Sequence, residues 1–147
     1  DLTNQLFIKS SLLRILAVLS KHGLFTPTEK NLDKRVEGIK KVLTYIREKY
    51  KEKIYIEDLA AQVHMNEQYF CRFFKKSMGI SFLKYLNDVR LSHIYQDLQN
   101  TDAPIAEIME RNGFTNQKLF NQEFKKQYGQ TPSVVRHPRN FAMEGEQ

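Results

Sequence analysis

Apolar residues recur at three- and four-residue spacings through most of the chain, the signature of helices that each bury one stripe. Between Leu2 and His22 the stripe is Leu6, Leu12, Leu13, Ile15, Leu16 and Leu19, and Gly23 can close that helix with a left-handed backbone. Pro27 and Asn31 mark Leu24 to Leu32 as a linker, which puts a boundary near Asp33. A second helix is predicted from about Lys34 to Lys49, with Val36, Ile39, Val42, Leu43 and Ile46 on one face. The pattern after Lys53 is more informative, because it occurs twice.

Phe70, Phe74, Lys75, Lys76, Gly79 and Ser81 return as Phe120, Phe124, Lys125, Lys126, Gly129 and Thr131, each displaced by fifty positions. Upstream the offset is forty-nine: Leu59 aligns with Ile108, Val63 with Asn112 and His64 with Gly113. The copies therefore differ by one residue in a turn, and a repeat of this length is one supersecondary unit used twice. Each copy reads as a short helix, a tight turn and a second helix ending at glycine, which is a helix-turn-helix. The predicted helices are Ile56 to Val63 and Glu67 to Ser77 in the first copy. In the second they are Pro104 to Arg111, with Pro104 at the first helical position, and Asn116 to Tyr128. A helix from Phe82 to Leu98 joins the copies, with Leu83, Leu86, Val89, Ile94 and Leu98 predicted inward. At 1.5 Å per residue it spans roughly 25 Å, enough to hold the units as a rigid pair. The expected fold class is all-α: two helix-turn-helix subdomains joined by a long central helix, homeodomain-like, plus an N-terminal amphipathic helix.

The second helix of each copy is apolar on one side and polar and varied on the other. Tyr69, Phe70, Phe73 and Phe74 are predicted inward, leaving Gln68, Cys71, Arg72 and Lys75 outward. In the other copy Leu119, Phe120 and Phe124 are predicted inward, leaving Gln117, Lys118, Asn121, Gln122 and Lys125 outward. Such strips suit base edges, since Gln and Asn pair bidentately with adenine, and Arg and Lys with guanine. Lys75, Lys76, Lys125 and Lys126, toward the helix ends, suit phosphates, as do the amides that open the leading helices. Any surface helix has a polar face, so one such helix alone argues nothing. The duplication carries the weight, because two like units suit a duplex that repeats about every 34 Å.

Composition narrows the alternatives. The 147 residues suffice for one main domain and an appendage, and a formal charge of +6 fits an anionic partner without demanding one. One cysteine excludes a framework of intrachain disulfides and fits a reducing compartment. The longest apolar run, Leu12 to Leu19, is broken by Arg14 and falls short of a membrane span, so a soluble protein with no membrane partner is expected; with a reducing compartment and a DNA partner, the expected location is the cytoplasm, associated with the nucleoid. The start at Asp1 without Met suggests a fragment of a longer protein. No cofactor and no catalysis are expected: His22, His64, His93 and His137 lack metal-ligand spacing, and no phosphate loop or nucleophile elbow is present. His64 aligns with Gly113 in a turn, which points to a left-handed backbone there. Cys71 could touch a thymine methyl or act as a redox-sensitive thiol beside Arg72. The aromatic residues sit at core spacing, which places single-strand or RNA binding second. A helical protein-interaction module and a non-specific nucleic-acid binder stay open.

The run Tyr69 to Gly79, then Tyr85, Arg90-Leu91, Gly113-Phe114, Phe120, the run from Phe124 to Gly129, and Thr131-Pro132 through Arg136 resemble the two-unit signature of the AraC/XylS transcription regulators. The resemblance covers roughly Lys40 to Arg136. It implies a seven-helix DNA-binding domain spanning residues 34–139 that reads two adjacent major-groove segments of double-stranded DNA and acts as an activator with RNA polymerase. By position it assigns base reading to Gln68, Cys71, Arg72, Gln117, Lys118, Asn121 and Gln122. Asn66 stands where the family often has a capping Ser and preserves the capping chemistry. Met109 and Ile94 stand where Ala is usual, Lys118-Leu119 where Ser-Tyr is common, and Gln122 where Arg is common. Residues 1–33 resemble the closing helix and linker of a sensor and dimerisation domain. That implies a homodimer through residues 2–22 and a small-molecule effector bound by a missing N-terminal domain; the helix could equally pack on the DNA-binding domain. Residues 140–147 are expected to be a disordered tail.

Overall fold

The computed structural model describes residues 29–136 together with Ser11. Most of the N-terminal helix expected between Leu2 and His22, and the expected tail at 140–147, lie outside the described residues. Seven α-helices and no strand occur among the described residues: α1 Glu29–Lys49, α2 Ile56–Gln62, α3 Glu67–Met78, α4 Phe82–Asn100, α5 Ile105–Arg111, α6 Gln117–Tyr128 and α7 Pro132–Arg136. The chain divides into two compact units. Most of α1, with α2, α3 and the opening turn of α4, makes the first, and Lys49–Lys53 joins the rest of α4 and α5 to α7 in the second.

The first unit is organised by aromatic residues at helical spacing. Phe70 and Phe74, four apart on α3, are fully buried with ring centroids 5.9 Å apart. Phe82 meets Phe70 at 6.1 Å, and Tyr85 meets Phe74 edge-on at 6.0 Å. Leu59 and Ala60 of α2 and Ile39, Val42 and Ile46 of α1 are also buried. α1 begins at Glu29, five residues before Lys34. Asn31 is a weak breaker, costing about 0.7 kcal/mol in a helix. Leu32, half-buried, extends the stripe by one turn and outweighs it.

The second unit repeats this scheme. Phe120 and Phe124 of α6 are buried, and a run of rings continues from Phe114 through both to Tyr128 and Tyr95. Leu91, Ile94, Leu98, Ile108, Met109 and Val135 complete that core. Met109 fills the place that Ala60 holds in the first copy, and both are buried. α7 is too short to show a period, yet it is the counterpart of the start of α4. The bond from the Val135 amide to the Thr131 carbonyl repeats the one from Tyr85 to Ser81.

α4 departs from the expectation of a single inward stripe. Tyr85, Leu86, Leu91, Ile94 and Leu98 are buried, Val89 is half-buried, and Leu83 is 55% exposed. The helix supplies Phe82 and Tyr85 to one unit and Leu91, Ile94 and Leu98 to the other. Its buried face changes along its length, and a period taken over the whole helix misplaces Leu83.

The turn between the paired helices is where the copies differ. The Met65 amide donates to the Ala60 carbonyl, and the Phe114 amide to the Met109 carbonyl, both in the forty-nine register. By Asn66 and Asn116 the register is fifty, so the extra residue is the exposed Thr115. His64 sits at φ 54° and Gly113 at φ 92°, both left-handed as the alignment of the turn anticipates. His64 is exposed and tolerates this conformation. At Gly113 a Cβ would lie 2.7 Å from the Tyr50 carbonyl oxygen and 2.8 Å from Arg90 Nε. Arg90 itself donates from Nε to Tyr50 O at 2.7 Å and from a terminal nitrogen to Glu52 O at 2.9 Å, satisfying carbonyls at and just beyond the end of α1. Gly113→Ala is expected to cost at least about 2 kcal/mol in urea unfolding followed by circular dichroism, from left-handed strain and the clash with backbone. His64→Gly is expected to be neutral or stabilising by less than about 1 kcal/mol. Equal behaviour of the two variants would contradict the close approach at Gly113.

Candidate nucleic-acid interface

The face a helix offers to a partner is decided by the residues it buries. On α3 the buried set is Phe70, Phe73, Phe74 and Met78. Gln68, Cys71, Arg72, Lys75 and Lys76 are exposed on the other side. On α6 Phe120 and Phe124 are buried, and Gln117, Lys118, Asn121, Gln122, Lys125 and Lys126 are exposed. Each expected reader thus lies at the surface of its unit. Two residues expected inward do not: Tyr69 is 48% exposed and Leu119 41%. They flank the buried stripe, where an apolar side chain at helical spacing is easily read as core.

Both helices are fixed at their ends by the same chemistry. Asn66 Oδ1 accepts from the Tyr69 amide at 2.8 Å, and Asn116 Oδ1 from the Leu119 amide at 2.9 Å. Asn116 is therefore a cap, and α6 starts one residue after it. Each cap satisfies one of the amides that a helix start leaves open. Pro104 likewise stands just before α5, its extended backbone leading into Ile105. At the other ends Gly79 and Gly129 turn left-handed at φ 76° and 71°, their amides returning to the carbonyls of Lys75 and Lys125. Nothing lies within 4 Å of a Cβ placed on either glycine, so conformation alone calls for glycine there.

The electrostatics of the strips are simple. Lys75, Lys76, Lys125 and Lys126 all lie in last turns, where a cation also favours the negative end of the helix dipole. Their position has a local reason as well as a possible role toward an anion. Behind the second strip, Asp97 of α4 accepts from Arg111 Nε at 3.1 Å and from the buried Asn112 Nδ2 at 2.8 Å. Asn112 also donates to the Ile108 carbonyl of α5, and its bond to Asp97 ties the turn before α6 to α4. Asn112 aligns with the apolar Val63, so only a search for turn-locking polar residues would have singled it out. Burial lowers the pKa of Arg90 below the usual guanidinium range. Cys71 is an exposed free thiol, and among the described residues no cluster of metal ligands occurs.

Comparing the copies position by position sorts the strips into two kinds. The pairs Lys75/Lys125 and Lys76/Lys126 are identical. The pairs Glu67/Gln117, Gln68/Lys118, Cys71/Asn121 and Arg72/Gln122 all differ. One scaffold thus holds a constant basic element and a variable polar one. No helix among the described residues is long and apolar enough to cross a membrane.

The profile of the helix-turn-helix domain family matches residues 59–137. The chain is 26% identical over 133 residues to the Msm operon regulatory protein of Streptococcus mutans, covering 90% of this chain and 48% of that protein. It therefore spans about half the length of that curated relative. Its fold is similar to the DNA-binding domain of AdpA, a global transcriptional factor solved in complex with a target DNA, at 25% identity, TM-score 0.62, and coverage of 71% of this chain and 95% of that one. It is similar in fold to a probable AraC family transcriptional regulator from Rhodopseudomonas palustris, at 24% identity, TM-score 0.66, and coverage of 69% and 96%.

Replacing either capping Asn by Ala is expected to cost about 1 kcal/mol in urea unfolding, and Asn→Ser less than half of that. Equal losses for Ala and Ser would show that the cap hydrogen bonds contribute nothing.

Proposed function

The chain belongs to the AraC-type helix-turn-helix family of transcription regulators, and on that premise we propose that it binds double-stranded DNA sequence-specifically, placing α3 and α6 in adjacent major-groove segments. The observation that carries this reading is the duplicated surface: two capped helices, each with buried Phe residues, an exposed variable polar strip and an invariant pair of Lys. In this reading Gln68, Cys71 and Arg72 on α3, and Gln117, Lys118, Asn121 and Gln122 on α6, face base edges. Lys75, Lys76, Lys125 and Lys126 face phosphates. Arg at one reading position and Gln at its counterpart favour guanine and adenine respectively, so the half-sites differ. The relative solved with target DNA supports the choice of ligand.

The wider assignment is an activator that works with RNA polymerase in the cytoplasm, dimerises through residues 2–22 and takes an effector through an upstream domain. It follows from the family and from the sequence pattern of residues 1–33. A helical protein-interaction module is the competing reading, and a salt series separates the two. If the four Lys contact phosphates, affinity for a duplex should fall about 100-fold between 50 and 200 mM salt, the loss for about four phosphate contacts. Affinity independent of salt, or no binding at all, would remove the DNA reading. Arg72→Ala should cost about 1–3 kcal/mol on the preferred site and less on random duplex. An equal loss on both would reassign Arg72 to a phosphate.

A further inference from the structure

Only four large apolar residues among the described ones are strongly exposed: Tyr55, Tyr69, Leu83 and Leu119. Two of them, Tyr69 and Leu119, occupy the same position of the internal repeat. Both are the third residue of their helix, and both give their backbone amide to the capping Asn, at 2.8 and 2.9 Å. The cap holds the backbone beneath each side chain. Each side chain stands at the margin of its core, whose buried face is made by Phe70, Phe73 and Phe74 on α3 and by Phe120 and Phe124 on α6. A single exposed apolar residue is ordinary, but its return at the same repeat position in two different chemical forms marks a place where an apolar partner would bury further area.

Helical spacing says where that place is. Tyr69 lies three residues before Arg72 and seven before Lys76, so it borders the polar strip on one edge, and Leu119 stands in the same relation to Gln122 and Lys126. Both lie in the first turn, the end of a recognition helix that meets base edges. The major groove offers one apolar recognition feature, the C5-methyl group of thymine. A leucine has no hydrogen bond to offer, so what the two positions share is apolar area. Resting on the DNA-binding reading above, we infer that Tyr69 and Leu119 are specificity-determining residues that each pack on a thymine methyl at the edge of the strip.

The test uses the whole chain and a duplex that it selects from a random pool, with each thymine replaced singly by deoxyuridine, which removes only the methyl group. For the unsubstituted protein at least one replacement in each half-site should weaken binding about fourfold, the factor that burying one methyl-sized group supplies. Leu119→Ala should make one of those replacements silent and Tyr69→Ala the other, while Leu119→Met, which keeps the apolar reach, should stay sensitive. Both side chains are partly exposed, so thermal melts of the variants should remain cooperative and show that they fold. Insensitivity of the parent to every replacement overturns the inference and leaves DNA binding standing. Variants that lose affinity equally for thymine and uracil duplexes also overturn it, since the two side chains would then be backing the sugar-phosphate wall. Failure of the parent to bind any duplex removes the DNA reading and this inference with it.

Discussion

Burial of two phenylalanines four residues apart is the constraint on which the rest of each unit depends. Phe70 and Phe74 on α3, and Phe120 and Phe124 on α6, are almost wholly removed from water. Each contributes on the order of 1.5–3 kcal/mol to its small core. Their effect is also geometric. A pair at this spacing fixes the rotation of a helix about its axis, so the identity of the exposed residues follows from that of the buried ones. Neither Gln68 and Arg72 nor Lys118 and Gln122 need any interaction of their own to face outward.

Rotation alone does not set where each helix starts, and this is the task of the turn. A left-handed residue reverses the chain after α2 or α5, and an asparagine then captures the third amide of the next helix. The two solutions have different tolerances. His64 turns at the surface with room around it. Gly113 turns against the Tyr50 carbonyl and Arg90, and that crowding leaves no space for a side chain. The insertion of Thr115 falls between this turn and the cap, so the second copy lengthens its loop without disturbing either hydrogen-bonded end.

Much of this was legible in the sequence, because the repeat locates pairs of residues that must do the same job. The Phe pairs, the terminal glycines, the left-handed His64 and the outward strips follow from spacing alone. Three apolar residues were misplaced for two different reasons. Leu83 lies on a helix whose buried face changes between units, so no single period describes it. Tyr69 and Leu119 stand at the edge of the buried arc, where period cannot distinguish the last core residue from the first surface one. The early start of α1 was hidden by Asn31, a turn former overruled by packing. The capping role of Asn116 was obscured by its placement inside the helix, a difference of one residue.

The comparison between copies adds what neither helix supplies by itself. A pair of positions that meets the same chemistry in both units has reason to keep one side chain, and a pair that meets different chemistry has reason to diverge. On the exposed faces of α3 and α6 the pairs Lys75/Lys125 and Lys76/Lys126 do not differ, whereas the pairs Glu67/Gln117, Gln68/Lys118, Cys71/Asn121 and Arg72/Gln122 all do. A duplex presents this combination, with a phosphate backbone that is chemically uniform and base edges that are not. The helix dipole gives the Lys pairs a second reason to persist, so it is the divergence of the pairs beside them that varied base edges account for. Tyr69 and Leu119 fall between the two classes, altered in shape and hydrogen-bonding capacity but sharing a large apolar area in both copies. That is the behaviour expected where the partner is apolar in each half-site and its surroundings differ.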